Sequence, residues 1–146
     1  MQYKMRIRET VVLRLVARLL TPFILIFALY VQFHGDFGPG GGFQAGVIFA
    51  AGLILYALVF DLDALEEVAR PWILEVAAAL GVLIYGGTGY AGLFLHGNFL
   101  DYAVLNHHDP VHGHHLGIFL VELGVGISVA AVMLAIFAHF AGRGRR

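Results

Sequence analysis

The 146 residues are 60% hydrophobic and 13% charged, with a formal net charge of −1 and a mean hydropathy of +0.82. That is too apolar for a soluble domain of this length and describes one small integral membrane unit. A balance so near neutrality provides no basic field for nucleic acid, and the absence of cysteine removes disulfides, thiolate metal sites and a cysteine nucleophile.

The chain opens on Lys4, Arg6 and Arg8 and runs directly into a long apolar segment. The segment is too long for a signal h-region and no Ala-x-Ala site follows it, so no cleavable signal is expected. The first membrane span is predicted over residues 13–33, near the roughly 20 residues needed to cross the hydrocarbon. Arg14 and Arg18 lie one turn apart on its inner end, placed to snorkel to headgroups or to bind anionic lipid. Thr21-Pro22 is expected to bend the helix, with a neighbour satisfying the freed carbonyl.

A turn follows, Gly38-Pro-Gly-Gly-Gly-Phe-Gln-Ala-Gly46, between two runs almost free of charge. Pro39 stops a helix from passing through, while Gly40, Gly41 and Gly42 permit positive φ and close backbone approach ahead of Phe43. Irregular backbone at membrane depth persists only against other protein or a water-filled cavity, so residues 38–46 are expected to pack against something. His34 and Asp36 stand just before the turn. His34 titrates near neutrality and could relay protons at the outer mouth; equally, it could be the cation that a helix C-terminus favours.

The second span is predicted over 43–60, the third over 72–95 and the fourth over 116–138. Between the second and third, Asp61, Asp63, Glu66 and Glu67 read as a solvated acidic loop; Glu75 reads as an interfacial carboxylate at a helix N-terminus beside Arg70. Small residues recur at four-residue spacing, as in Ala77/Gly81, Gly87/Ala91, Thr88/Gly92, Gly124/Ser128 and Gly126/Ala130, the pattern that lets helix backbones approach within lipid. They either join the chain's own helices or face other subunits. The outer loop 96–115 ends in five histidines within nine residues, 107–115. Neutral imidazoles at this density take up Zn, Ni or Cu adventitiously, but a loop broken by Gly and Pro does not promise a dedicated metal site. A solvated, pH-responsive loop is the expectation, with no resident metal or cofactor.

Glu122, about two turns into the fourth span, is the one deep carboxylate. An ionisable group there is costly and marks a functional site by default. It could ionise and line a cation or water path, or stay a neutral acid hydrogen-bonded between helices. No nucleophile triad, P-loop or dinucleotide fingerprint is present.

All nine Lys and Arg residues fall before or within the start of the first span, at Arg70, or at 143–146, and none lies in either outer loop. The positive-inside rule then places both termini and the 61–71 segment in the cytoplasm. An even span count demands the same. The fold expected is an all-α integral membrane protein, a bundle of four transmembrane helices with cytoplasmic termini.

Residues 33–48, Phe-His-Gly-Asp-Phe-Gly-Pro-Gly-Gly-Gly-Phe-Gln-Ala-Gly-Val-Ile, resemble the signature of the MnhB-like family, small subunits of the multisubunit Mrp/Mnh-type cation/proton antiporters. Residues 97–102 (Gly-Asn-Phe-Leu-Asp-Tyr) and 116–129 (Leu-Gly-Ile-Phe-Leu-Val-Glu-Leu-Gly-Val-Gly-Ile-Ser-Val) are similar to the same family. The resemblance covers roughly residues 20–140. It departs at Asp36, where the family often has a second histidine, and the His-rich loop is not carried over from the family. The resemblance implies a secondary antiporter of a prokaryotic cell membrane that exchanges Na+ or another monovalent cation for protons, with other antiporter subunits as partners. The family's large partner subunits resemble proton-pumping subunits of respiratory complex I and carry the intramembrane Lys and Glu pairs. This chain has no intramembrane Lys, and one carboxylate cannot relay a proton across a bilayer. A non-catalytic small subunit is therefore expected, one that completes helix interfaces and could line an ion or water path through Glu122, with His34 and Asp36 as further ion-path candidates. Two alternatives are a self-contained four-helix carrier using Glu122 and a component of a related respiratory module such as a membrane-bound hydrogenase.

Overall fold

The computed structural model describes residues 10–35, 38–106 and 108–143. Within them the secondary structure is helical: α1 (Val11–His34), α2 (Gly42–Phe60), the short α3 (Leu62–Val68), α4 (Pro71–Phe94), a 3-10 turn (Tyr102–Leu105) and α5 (Pro110–Gly142). Four of these, α1, α2, α4 and α5, are long and apolar enough to cross a membrane. The all-helical fold with four spans is as expected. Asp36, Phe37 and His107, with the N-terminal and C-terminal basic clusters at 1–9 and 144–146, lie outside the described residues.

The spans pack in the order α1–α2–α5–α4, so α5 is central and α1 and α4 stand at the ends of a row. Two glycines dictate that order. Residues two apart on a helix point about 200° apart at 3.6 residues per turn, so Gly124 and Gly126 open opposite sides of α5. A Cβ at Gly124 would stand 2.6 Å from Gly81 O and 2.9 Å from Tyr85 N, both backbone atoms of α4. On the other side a Cβ at Gly46 of α2 would lie 2.6 Å from Gly126 O. The Ser128 hydroxyl donates to Ala78 O across the α4–α5 contact at 3.2 Å. The small residues Gly81, Gly124, Ser128 and Gly126 therefore serve the chain's own packing. Gly86 and Gly87 have nothing within 4 Å of a built Cβ.

The helix ends follow from local chemistry. α1 runs unbroken through Pro22, and the Thr21 hydroxyl donates to Ala17 O at 2.8 Å. Asp61, at φ 98°, ends α2 and begins α3: its N–H donates to Ala57 O at 2.9 Å, and its Oδ1 accepts from Leu62 N–H at 2.8 Å. The acidic loop expected here is in fact an amphipathic helix. Leu62 and Leu65 turn into a cluster with Ala57, Leu74 and Leu134, and Asp63, Glu66 and Glu67 face out. Spacing i, i+3 carried that signal, but seven residues are too few for a clear period. Similarly α5 starts at Pro110, six residues before the predicted span. Pro110 takes the first helical position, where its missing N–H is harmless, and the Asp109 carboxylate accepts from Val111 N–H and His112 N–H at 3.1 and 3.2 Å. His112, His114 and His115 therefore stand on the first turns of a helix and not in a loop. Among the described residues no three His, Asp or Glu side chains converge as a metal cluster would require.

Candidate functional site: the glycine turn around Glu122

The polypeptide between α1 and α2 folds back on itself and closes on α5. Gly41 N–H donates to Val31 O at 3.3 Å, tying the turn to the last turns of α1. Gly41 sits at φ 118°, ψ 173° as the N-cap of α2, a region of backbone space essentially reserved for glycine. Among the described residues it is the one glycine at positive φ. Gly40 lies against the same stretch of backbone, where a Cβ would be 2.9 Å from Val31 O. Gly42 begins α2 and leaves no room at all: a Cβ there would overlap the Glu122 carbonyl. Phe43 is exposed, 64% accessible in the isolated chain, and Pro39 is exposed beside it.

Glu122 is what the turn packs against. A Cβ at Gly35 would overlap its carboxylate, and one at Gly41 would lie 3.1 Å from its Oε1. The carboxylate thus occupies a notch between the C-terminal end of α1 and the N-terminal end of α2. The first-turn N–H groups of a helix carry partial positive charge, so a carboxylate is favoured there. His34 is adjacent in sequence. Its ring stacks on Tyr30 at 5.2 Å, and a Cβ on Gly38 would stand 3.4 Å from its Nε2. The structure therefore brings Glu122 together with Gly35, Gly41 and Gly42, with His34 one residue from the carboxylate's notch. Asp36 lies outside the described residues.

Gln32 was not singled out from sequence, although a lone amide in an apolar run is a recognisable signal. Only 6% of its surface is accessible, its Nε2 has no hydrogen-bond acceptor, and its Oε1 faces Gly126, one turn below Glu122 on α5. At the other end of the molecule the guanidiniums of Arg14 and Arg18 lie 5.4 and 5.5 Å from the centre of the Phe60 ring, at the C-terminal end of α2. Glu75 is exposed there and borders a cavity of about 420 Å³ with Glu66, His139 and Arg143.

The loop between α4 and α5 is also fitted to glycines. Phe99 covers Gly89, and the Tyr102 ring covers Gly117. Burial pushes the Tyr102 phenol above its ordinary value, and Tyr85 adds to the shift, so Tyr102 is neutral at physiological pH. The rest of that loop is held by Asp101, which accepts from Ala103 N–H at 3.3 Å, and by Asn106, which accepts from His108 N–H and Asp109 N–H at 3.1 and 3.2 Å.

Four long apolar helices, the first two joined by a glycine turn that packs on the Glu122 carboxylate, define a multi-pass membrane protein of the cell membrane. Its relatives place it further. A family described as "Domain related to MnhB subunit of Na+/H+ antiporter" matches residues 12–135, and the chain belongs to that family. It is 34% identical over 134 residues to a protein of Staphylococcus haemolyticus (strain JCSC1435) called "Putative antiporter subunit mnhB2", covering 90% of this chain and 94% of that one. It is 32% identical over 128 residues to a Na(+)/H(+) antiporter subunit of Alkalihalophilus pseudofirmus, covering 82% and 88%. A protein called "Putative antiporter subunit mnhB2" from Staphylococcus aureus (strain Newman) is 33% identical over 134 residues, covering 90% and 94%.

Proposed function

We propose that this chain is a non-catalytic small subunit of a multisubunit antiporter that exchanges Na+ for protons, held among the other subunits in the bilayer with both termini in the cytoplasm. The family match over residues 12–135 is the observation that carries this reading. The chemistry of the chain agrees with it. The spans hold no Lys, and the deep carboxylate, Glu122, is enclosed by Gly35, Gly41 and Gly42. A self-contained carrier needs its membrane-embedded acid to face a substrate cavity, and Glu122 does not line the large groove on this chain. In this reading Glu122 is a structural anchor: its carboxylate meets the positive end of α2 and locks the turn at 39–43 onto α5. His34 closes the C-terminal end of α1, where a cation is favoured. The cytoplasmic placement of the termini rests on the sequence positions of the nine basic residues, none of which falls in the 34–42 or 96–109 connections.

The test is purification of the tagged chain from its native membrane. Other antiporter subunits are expected to co-purify, vesicles holding the complex should exchange Na+ for protons, and vesicles holding this chain alone should not. Robust exchange by the single purified chain would overturn the reading.

A further inference from the structure

The row of helices is concave on one face. The concavity holds a groove of about 450 Å³ bordered by residues from all four spans and by the end of α3. Leu25 and Leu29 of α1 form one wall and Ile73 of α4 the other, with Ala130 and Ile127 of α5 in the floor. From Leu123 to Leu134 along α5 the groove is about 17 Å long, roughly three helical turns. Its one amide is Gln32, at the outer part of the α1 wall.

We propose that this groove is the seat of a transmembrane helix from another subunit, one that carries large apolar side chains and sets a hydrogen-bond acceptor opposite Gln32. The inference rests on the antiporter-subunit reading above. Two independent observations point to a helix as the occupant. The groove is open because Ala77 on the α4 wall and Ala130 in the floor are small and only half-buried, and small residues at an intramembrane face serve the close approach of a second helix, which fluid acyl chains do not need. The second is the Gln32 amide, 94% buried from 6% accessibility and without an acceptor for its Nε2. An unpaired donor in hydrocarbon is costly, whereas glutamine side chains that hydrogen-bond across helices are a regular feature of membrane interfaces. Gln32 Nε2 is covered by the chain's own atoms in this structure, but the terminal torsion of glutamine is soft, and rotation about it would bring the amide to an acceptor placed in the groove. A lipid tail has no acceptor along its length. A second copy of this chain, related by a two-fold axis, would set one concavity against another and enlarge the void instead of filling it.

The experiment uses the whole antiporter in its native membrane, with a diazirine-bearing leucine analogue introduced at Leu29 alone. Irradiation is expected to join the chain to another subunit, and mass spectrometry of the adduct identifies the helix. In a Gln32→Leu background the adduct yield, normalised to the amount of chain in the membrane, should fall about three- to fifteenfold, the range that interhelical polar contacts carry. Ala130→Phe, which fills the groove, should abolish the adduct, and Ala130→Ser, which leaves it open, should preserve it. Adducts only with lipid, only with a second copy, or with nothing, in a complex that still purifies intact, would overturn the groove assignment while leaving the antiporter-subunit reading standing. Unchanged yield in Gln32→Leu would overturn the role given to the amide. Failure of any other subunit to co-purify would instead refute the antiporter-subunit reading itself.

Discussion

Replacing Gly41 by alanine isolates a single physical term. Gly41 sits at φ 118°, ψ 173°, outside the left-handed helical basin and in the extended positive-φ region that side chains exclude. Holding a non-glycine residue there costs about 1–3 kcal/mol, a shift of roughly five- to 150-fold in the population of the native turn. The added methyl contributes less: it would stand 3.1 Å from Glu122 Oε1, and a carboxylate at the end of a flexible side chain moves aside by the few tenths of an ångström required. The backbone term therefore dominates. This leads to a discriminating expectation for Gly41→Asn. Asparagine tolerates the left-handed basin near φ 57°, ψ 47°, but it gains nothing at ψ 173°, so Gly41→Asn should be no milder than Gly41→Ala. Gly38→Ala is the control. Gly38 is exposed, and its Cβ would make an ordinary 3.4 Å contact with His34 Nε2. The readout is the fraction of membrane-inserted chain recovered in the assembled complex at matched expression. Loss in Gly41→Ala and Gly41→Asn with retention in Gly38→Ala is expected. Full assembly of Gly41→Ala, or rescue by Asn, would refute the argument from backbone conformation.

Glu122→Gln keeps the size of the side chain but removes its capacity for negative charge; if the proposed anchor acts as a carboxylate at the α2 N-terminus, a contribution of about 0.3–2 kcal/mol, assembly should fall modestly and Glu122→Ala should cost more, both measured as complex yield. An assembled Glu122→Gln complex whose cation/proton exchange has collapsed would instead place Glu122 on the ion path. Gly124→Val drives a side chain into Gly81 O and Tyr85 N, backbone atoms at 2.6 and 2.9 Å from a Cβ, so the α4–α5 contact must open at a cost of about 1–3 kcal/mol or more. The thermal midpoint of the purified chain should drop, while Gly87→Val, which meets nothing within 4 Å, should leave it unchanged. Single cysteines at Gly97 and Gly144 in this cysteine-free chain should label from opposite sides of the membrane, Gly97 from outside; labelling of both from one side would refute the cytoplasmic placement of the termini.

The four spans were legible because hydrophobicity sustained over about 20 residues has no common alternative explanation. The turn was legible because Pro and Gly act through the backbone, whose demands are local, and Gly41 carries the positive φ that its neighbourhood suggested. Where the reading fell short, tertiary partners decide the structure. Leu62 and Leu65 make a helix of 62–68 only because Leu74 and Leu134 wait to receive them, and no partner is visible in seven residues of sequence. Pro110 was read as a loop breaker, yet with Asp109 before it the same residue starts a helix. The proline did not change meaning; its position relative to a capping carboxylate did.

The placement of Glu122 shows the same dependence at the candidate site. From sequence, a lone acid in an apolar helix has two readings, an ion ligand or a structural group, because its cost in lipid is independent of what relieves it. The structural role proposed for Glu122 draws on the geometry around it. Gly35, Gly41 and Gly42 lack the side chains that would exclude Glu122, and the helix that begins at Gly42 points its positive end there. The glycines of the signature and the glutamate some eighty residues later are thus one feature: bulk removed on α1 and α2 is the space that α5 fills. On the opposite flank of α5 the same exchange recurs between Gly81 and Gly124. Around the Glu122 side chain the neighbouring positions are glycines, so backbone lies where side chains would otherwise stand. The groove beside it, with the unpaired amide of Gln32, is the face on which the helix of another subunit is proposed to seat.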